Sequence, residues 1–336
     1  MLSQWRAPPH HGIECFAATT SDESSDTTLG VAPLRGKTMV EAPASLGTIG
    51  PSTQRRPLRD KPPMSILFRR HRKIVAGAML AAALGAGVFA QRRDFRRFGM
   101  RVPANPPYDG AFQYCRGIYA RHPQGDGGGW MTDYPQADQN LPFRLSELTR
   151  TAVSRNAHGN YNHAIVGLTD PALSRCPIVI MQEVGSFSLD EDDAAHLRNY
   201  LMKGGFLWVD DFWGEYAWHI WETEIRKALP SGEFPMIDLD TAHPLFHVLY
   251  EVKGVTQIPA IGFWLATGRT SERVDSQVPH ARAILDPDGH MVVLITHNTD
   301  YSDAFEREGE NRAYFDRFAG PGYAFGINAL LYGLSH

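Results

Sequence analysis

The chain has three cysteines in 336 residues, Cys15, Cys115 and Cys176, and none stands in a Gly-x-Cys-x-Gly turn. No serine stands in Gly-x-Ser-x-Gly either, so the nucleophile elbow of acyl-transfer enzymes is missing. The one glycine run, Gly125 to Gly129 (GDGGG), could cradle an anion. It lacks the P-loop lysine and its strand–loop–helix setting, and reads more simply as a flexible surface loop. His243 and His247 (HPLFH) have the i, i+4 spacing that can put two imidazoles on one helical face. They have no glutamate between them, and Pro244 holds His243 in extended or turn backbone, where a hydrogen-bonded structural role is common. Internal repeats are also absent.

Positive charge is scarce where a folded domain is expected. With 11 of the 33 basic and 6 of the 37 acidic residues lying before position 91, residues 91–336 hold 22 basic and 31 acidic residues, nine net negative charges. An acidic domain without a basic stripe argues against nucleic acid as a partner.

Residues 1–63 are rich in Ser, Thr, Pro, Arg and Gly and cannot bury enough apolar surface to offset their ordering entropy. They read as a disordered arm or as the product of a start codon assigned too far upstream. At Met64 an export signal begins: Arg69, Arg70, Arg72 and Lys73 precede a 17-residue apolar run from Ile74 to Ala90, with Val88 and Ala90 as the small pair at a cleavage site. Residues 64–90 are thus a signal peptide or, if uncleaved, a membrane anchor at the lower limit of length. The expected location is exported, either periplasmic or anchored to the inner membrane and facing the periplasm. There Cys115 and Cys176 could form a disulfide. Because Cys176 precedes a buried strand, an inert packed thiol is the favoured reading.

Residues 91–107 form a proline-ended linker, and residues 108–336 a single α/β domain. Strands are expected at Ala111–Tyr119, Ala164–Leu168, Cys176–Gln182 and Phe206–Val209. Helices are expected at Leu141–Ser154, at the segment capped by Ser188 with Glu191 three residues on, and at Trp213–Leu229, closed by Pro230. Ala281–Ile295 folds as a hairpin about Asp288-Gly289, and Tyr323–Leu334 as an apolar helix packed on the sheet. The mixed charges of residues 305–318 (FEREGENRAYFDRF) suggest a solvated helix or lid. The alternation implies a doubly wound, mostly parallel sheet with a β-hairpin extension near the C-terminus.

Several anchors resemble a known family in order: Trp130-Met131-Thr132-Asp133-Tyr134-Pro135 with Ala137-Asp138 and Asn140-Leu141; Leu197-Arg198-Asn199-Tyr200-Leu201; Gly204-Gly205; Asp210-Asp211; His243-Pro244-Leu245-Phe246; Asn298-Thr299-Asp300; and Gly326-Ile327-Asn328. They are similar to the domain of unknown function 4159 family, over Tyr108 to Leu334. That family resembles the class I glutamine-amidotransferase-like fold. The resemblance implies a flavodoxin-like three-layer sandwich in an exported bacterial protein and leaves the activity open. Neither Cys115 nor Cys176 stands at a strand-to-helix turn, so glutaminase chemistry is disfavoured.

The candidate site follows from the rule that open α/β sheets bind ligands outside the carboxyl ends of their strands. Asp210 and Asp211 end the strand at Phe206 and are the candidate catalytic pair, as acid and base or as ligands of a hard divalent metal. Asp is also favoured at helix N-caps, so one of them is expected to cap the Trp213 helix. Trp130, Asp133, Trp213, His243, His297 and Asp300 are the candidate ligand-binding residues. Of the aromatics Trp130, Tyr134, Trp213, Tyr216 and Trp218, at least half are expected in the core and the rest could stack on a sugar. Three readings follow: an exported domain binding a ligand or an envelope partner, a carboxylate- or metal-dependent hydrolase of carbohydrate or envelope material, and a non-catalytic scaffold. All turn on whether Asp133, Asp210, Asp211 and Asp300 converge.

Overall fold

A computed structural model describes residues 102–335. The expected N-terminal arm and export signal lie outside the described residues, as does most of the linker. From Val102 onward the chain is held: Asn105 donates its side-chain amide to the carbonyl of Ile165 and accepts from the Ile165 amide, at 2.9 and 2.8 Å.

The elements in order are β1 (Tyr114–Ile118), β2 (Ala120–Arg121), α1 (Gln136–Leu148), β3 (His163–Gly167), β4 (Ile178–Gln182), β5 (Phe187–Ser188), α2 (Glu191–Met202), β6 (Phe206–Asp210), α3 (Gly214–Ala228), β7 (Met236–Asp238), α4 (Ile261–Thr267), β8 (His280–Leu285), β9 (Met291–His297), α5 (Tyr301–Glu306), α6 (Arg312–Tyr314) and α7 (Gly320–Ser335). Seven strands form one sheet in the order β3-β1-β4-β6-β9-β8-β7. The first five are parallel, and β8 and β7 extend the sheet antiparallel. The chain first builds to one side of β1 and then to the other, so the strand order reverses between β1 and β4. That is the flavodoxin-like arrangement, with its switch point beside the loop after β1.

Strand alternation sorts the side chains into two cores. Ile178, Ile180, Phe206, Trp208 and Leu294 face α1 and α7, while Val179, Met181, Leu207, Val209, Val293 and Ile295 face α2 and α3. The parallel strands are buried on both faces and read as continuous apolar runs. The hairpin closes at Gly289, whose φ of 87° needs a residue without Cβ, beside Asp286, which accepts from the amides of Asp288 and His290.

Some expectations need correction. The helix expected at Leu141 starts at Gln136 and ends at Leu148, after which Val153 bridges to Phe112. The spacing of Leu141, Leu145 and Leu148 is real, but the run toward Ser154 is extended. Ser188 does not cap α2; Asp190 does, accepting from the Asp193 amide at 2.8 Å. Residues 305–318 are no solvated lid: Phe305, Tyr314, Phe315 and Phe318 are buried, and Glu308 pairs with Arg144 at 2.9 Å. Their charges ride on a helical stretch whose aromatic side packs into the core.

The packed-thiol reading also fails. Cys115 and Cys176 form a disulfide, with Cα atoms 5.9 Å apart. Cys115 lies on β1 and Cys176 two residues ahead of its neighbour β4, so parallel pairing brings them together. The bond spans 61 residues, and closing such a loop stabilises the fold by about 4 kcal/mol in the chain-entropy account. Cys115→Ser with Cys176→Ser should therefore lower the denaturant midpoint by that equivalent, and a reductant should do the same to the unmutated chain alone. Equal midpoints with and without reductant would contradict the bond.

Candidate functional site

Four consecutive parallel strands each deliver a carboxylate from the loop at their C-terminal end. Asp133 comes from the connection between β1 and α1, Glu183 directly after β4, Asp211 directly after β6, and Asp300 three residues after β9. They meet in a cavity of about 280 Å³, whose lining also includes Asp126, Glu272, Arg273, Asp303 and Arg307. Carboxylate oxygens of Asp133, Asp211 and Asp300 lie within 4.8 Å of one another, and all three residues are buried.

The backbone is bent to achieve this. Among the described residues the non-glycine positions with positive φ are Asp133 (63°), Glu183 (54°), Asp211 (57°) and Asn298 (61°). Three carry the cavity carboxylates. Asn298 braces the wall, accepting from the Gly214 amide at 2.8 Å and donating to the carbonyl of Val278 at 2.9 Å. The left-handed region costs roughly 1–3 kcal/mol for a residue with a side chain, and such residues cluster where function demands them.

Asp211 thus leaves the strand alternation that governs Asp210, and the pair divides. Asp211 enters the cavity and accepts from the Trp213 indole at 3.0 Å. Asp210 stays in the sheet, accepting from the Thr296 hydroxyl at 2.5 Å and from the Ser302 amide at 3.1 Å. Neither caps α3, contrary to expectation, because Trp213 precedes that helix without a side-chain cap. Asp210 instead satisfies a first-turn amide of α5, together with Asp300, which accepts from the Asp303 amide.

Loop 130–133 is held from below. Arg116 is fully buried in β1 and pairs with Asp138 of α1. Its guanidinium also donates to the carbonyls of Trp130 and Thr132, each at 2.9 Å, and to the Gln182 side chain at 3.2 Å. Gln182 in turn donates to the Ser302 hydroxyl. The Asp133 backbone is therefore fixed by its neighbours, while its side-chain Oδ2 is buried without a hydrogen-bond partner.

The remaining candidates sit elsewhere. Trp130 is core, contributing its carbonyl to Arg116. Trp213 lines the cavity. His297 lies behind the wall against Phe212 and Trp218, donating from Nε2 to the Gly214 carbonyl at 3.1 Å; burial drives its pKa down to about 3. It is a neutral spacer. His243 accepts from the Leu245 amide and packs against Tyr332 of α7, outside the cavity lining, while His247 is engaged separately by Glu251 and the Thr241 carbonyl.

Glu183, Glu272, Arg273 and Arg307 were missed. Glu183 was findable, since it ends β4 just as Asp211 ends β6. Arg273 and Glu272 stand in an aperiodic loop that carries no such signal. The glycine run is also more than a surface loop: Gly127 has φ 110°, and a Cβ there would come within 1.8 Å of a Glu183 carboxylate oxygen.

Burial raises the carboxyls of Asp210 and Glu183 to about 7. Burial and then mutual repulsion hold those of Asp133, Asp211 and Asp300 well above the usual carboxylate range, the repelling neighbours being Asp303 and Glu306 for Asp133, Glu183 and Asp133 for Asp211, and Asp211 and Asp133 for Asp300. At these five carboxyls the folded chain therefore binds more protons than the unfolded chain from about pH 4 up to their raised pKa values. Stability contributed by these protons falls as pH rises toward about 7 and beyond. In chelator, the melting temperature should drop between pH 5 and pH 8; a melting temperature that climbs over that interval would contradict the electrostatics.

The profile of the domain of unknown function DUF4159 matches residues 118–334, most of the chain, and the chain belongs to this family. No curated protein matches it. The described residues contain no helix long and apolar enough to cross a membrane.

Proposed function

We propose that the cavity binds a hard divalent cation through Asp133, Asp211 and Asp300, and that the domain works through this site on a small ligand. The observation that carries the reading is the buried, unpartnered Oδ2 of Asp133, set beside two further carboxylates. None of the three forms an ion pair with a basic side chain among the described residues. Oxygen ligands at about 2.3–2.6 Å from a central ion span up to roughly 5 Å, which matches their spacing. The neighbouring trio of Asp133, Asp303 and Glu306 is a poorer candidate, because Arg307 already contacts Asp303 and Glu306 at 3.6 and 2.6 Å.

A second reading, metal-assisted hydrolysis, is favoured by one observation: Glu183 stands in the cavity wall with its carboxyl raised to about 7, the range a general base requires. In that reading Glu183 takes the role first given to Asp210 or Asp211. Carbohydrate stacking has less support, since Trp213 is the only cavity-lining member of the aromatic set first considered. Export to an oxidising compartment is supported by the disulfide, and detection of the protein at its full 336-residue mass in the cytosol would count against it.

Mg²⁺, Ca²⁺ or Mn²⁺ should raise the melting temperature of the full chain at pH 8. Asp211→Asn should remove that shift and raise the melting temperature in chelator, because it deletes one of the mutually repelling carboxylates. Asp286→Asn, in the Asp286, Asp288 and His290 group of the hairpin turn, should leave the shift intact. If no ion moves the transition, or Asp211→Asn leaves the shift in place, the cation reading is wrong.

A further inference from the structure

The cavity wall also carries two guanidiniums, Arg273 and Arg307, and they are not equivalent. Arg307 is committed to acids of its own segment, contacting Glu306 at 2.6 Å, Glu310 at 2.8 Å and Asp303 at 3.6 Å. Arg273 is paired with one residue. Its Nη2 donates to both carboxylate oxygens of Asp126, at 3.1 and 3.0 Å.

That pair joins two loops that border the cavity. Asp126 belongs to the glycine run after β2, and Arg273 to the segment between α4 and β8. Both side chains are substantially exposed, Arg273 at 52% and Asp126 at 35%. Exposed ion pairs contribute little to stability, so giving this one up costs the fold little. The backbone that presents Arg273 is fixed: its amide donates to the Ser276 hydroxyl at 3.0 Å, and the adjacent Glu272 accepts from the Ala260 amide at 2.6 Å. A planar guanidinium fork on a pinned backbone, held by a replaceable carboxylate, suits recognition of another oxyanion.

We propose that Arg273 is the anion-recognition residue of this cavity. The ligand carries a phosphoryl or carboxylate oxyanion that displaces Asp126 and binds between Arg273 and the cation held by Asp133, Asp211 and Asp300. The inference rests on the cation reading. Without a cation, at a pH where the cavity carboxyls are ionised, the incoming anion would face Asp133, Glu183, Asp211, Glu272 and Asp300, and like charges would exclude it. Oxyanion binding is therefore conditional on the metal. A cavity of about 280 Å³ favours a small molecule or the end of a larger one.

The test is calorimetric titration of the full chain in saturating Mg²⁺ or Mn²⁺ with inorganic phosphate, phenyl phosphate and acetate. At least one should bind, and only with the metal present. Phosphate or phenyl phosphate would assign a phosphoryl ligand, free or esterified, and acetate a carboxylate. Arg273→Ala should weaken that binding by about tenfold or more, as loss of a charge-assisted contact does. Asp126→Ala should tighten it, because the internal competitor is gone, and neither substitution should change metal affinity. A merely structural link between the loops would move both variants in the same direction, which would overturn the proposal. It is equally overturned if the metal binds and none of the three anions does. Failure of the metal itself to bind removes the cation reading and this inference with it.

Discussion

The site depends on one buried guanidinium. Arg116 lies in the middle of β1 with no solvent contact and meets Asp138, two loop carbonyls and Gln182. A charge placed there is tolerable because a carboxylate and three further oxygen acceptors receive it, and removing one partner of such a pair typically costs roughly 3–5 kcal/mol. What this arrangement secures is position. Trp130 and Thr132 are held by their carbonyls, and Asp133 is thereby delivered in a left-handed turn above the switch point of the sheet.

The same polar line continues beneath the cavity floor. Gln182 reaches Ser302, Ser302 is held by Asp210, and Asp210 is held by Thr296, which also accepts from the buried Trp208 indole. β1, β4, β6, β9 and the start of α5 are tied together below the four carboxylates they present. Rigid presentation of mutually repelling acids is costly to the metal-free chain. It becomes favourable when a cation replaces the missing countercharge, which is the sense in which a destabilised site indicates a ligand.

The parts of this that were legible in the sequence are those with local signals. The apolar runs at Ile178 and Phe206 and the Asp-Gly turn placed strands, and the strand-end rule pointed to Asp211, Asp133 and Asp300. Less was legible where tertiary contacts decided the outcome. Asp210 and Asp211 look equivalent as adjacent letters, and only the left-handed φ of Asp211 separates a structural carboxylate from a cavity one. Cys115 and Cys176 pair because β1 and β4 are neighbours, which their spacing alone could not say. His243 and His297 drew attention as imidazoles, yet one packs against α7 and the other is a neutral filler behind the wall. Arg273 had no sequence signature, since its meaning comes from a partner 147 residues away.

The central claim is that Asp133, Asp211 and Asp300 form a cation site rather than a cluster of protonated acids. Crystals of the full chain soaked in Mn²⁺ at pH 8 and measured at the manganese absorption edge would test it directly. The account predicts an anomalous peak among the three carboxylates, at about 2.2 Å from oxygens of each as hard oxygen ligands require. Manganese found only on the hairpin-turn group of Asp286, Asp288 and His290, or nowhere, would contradict it.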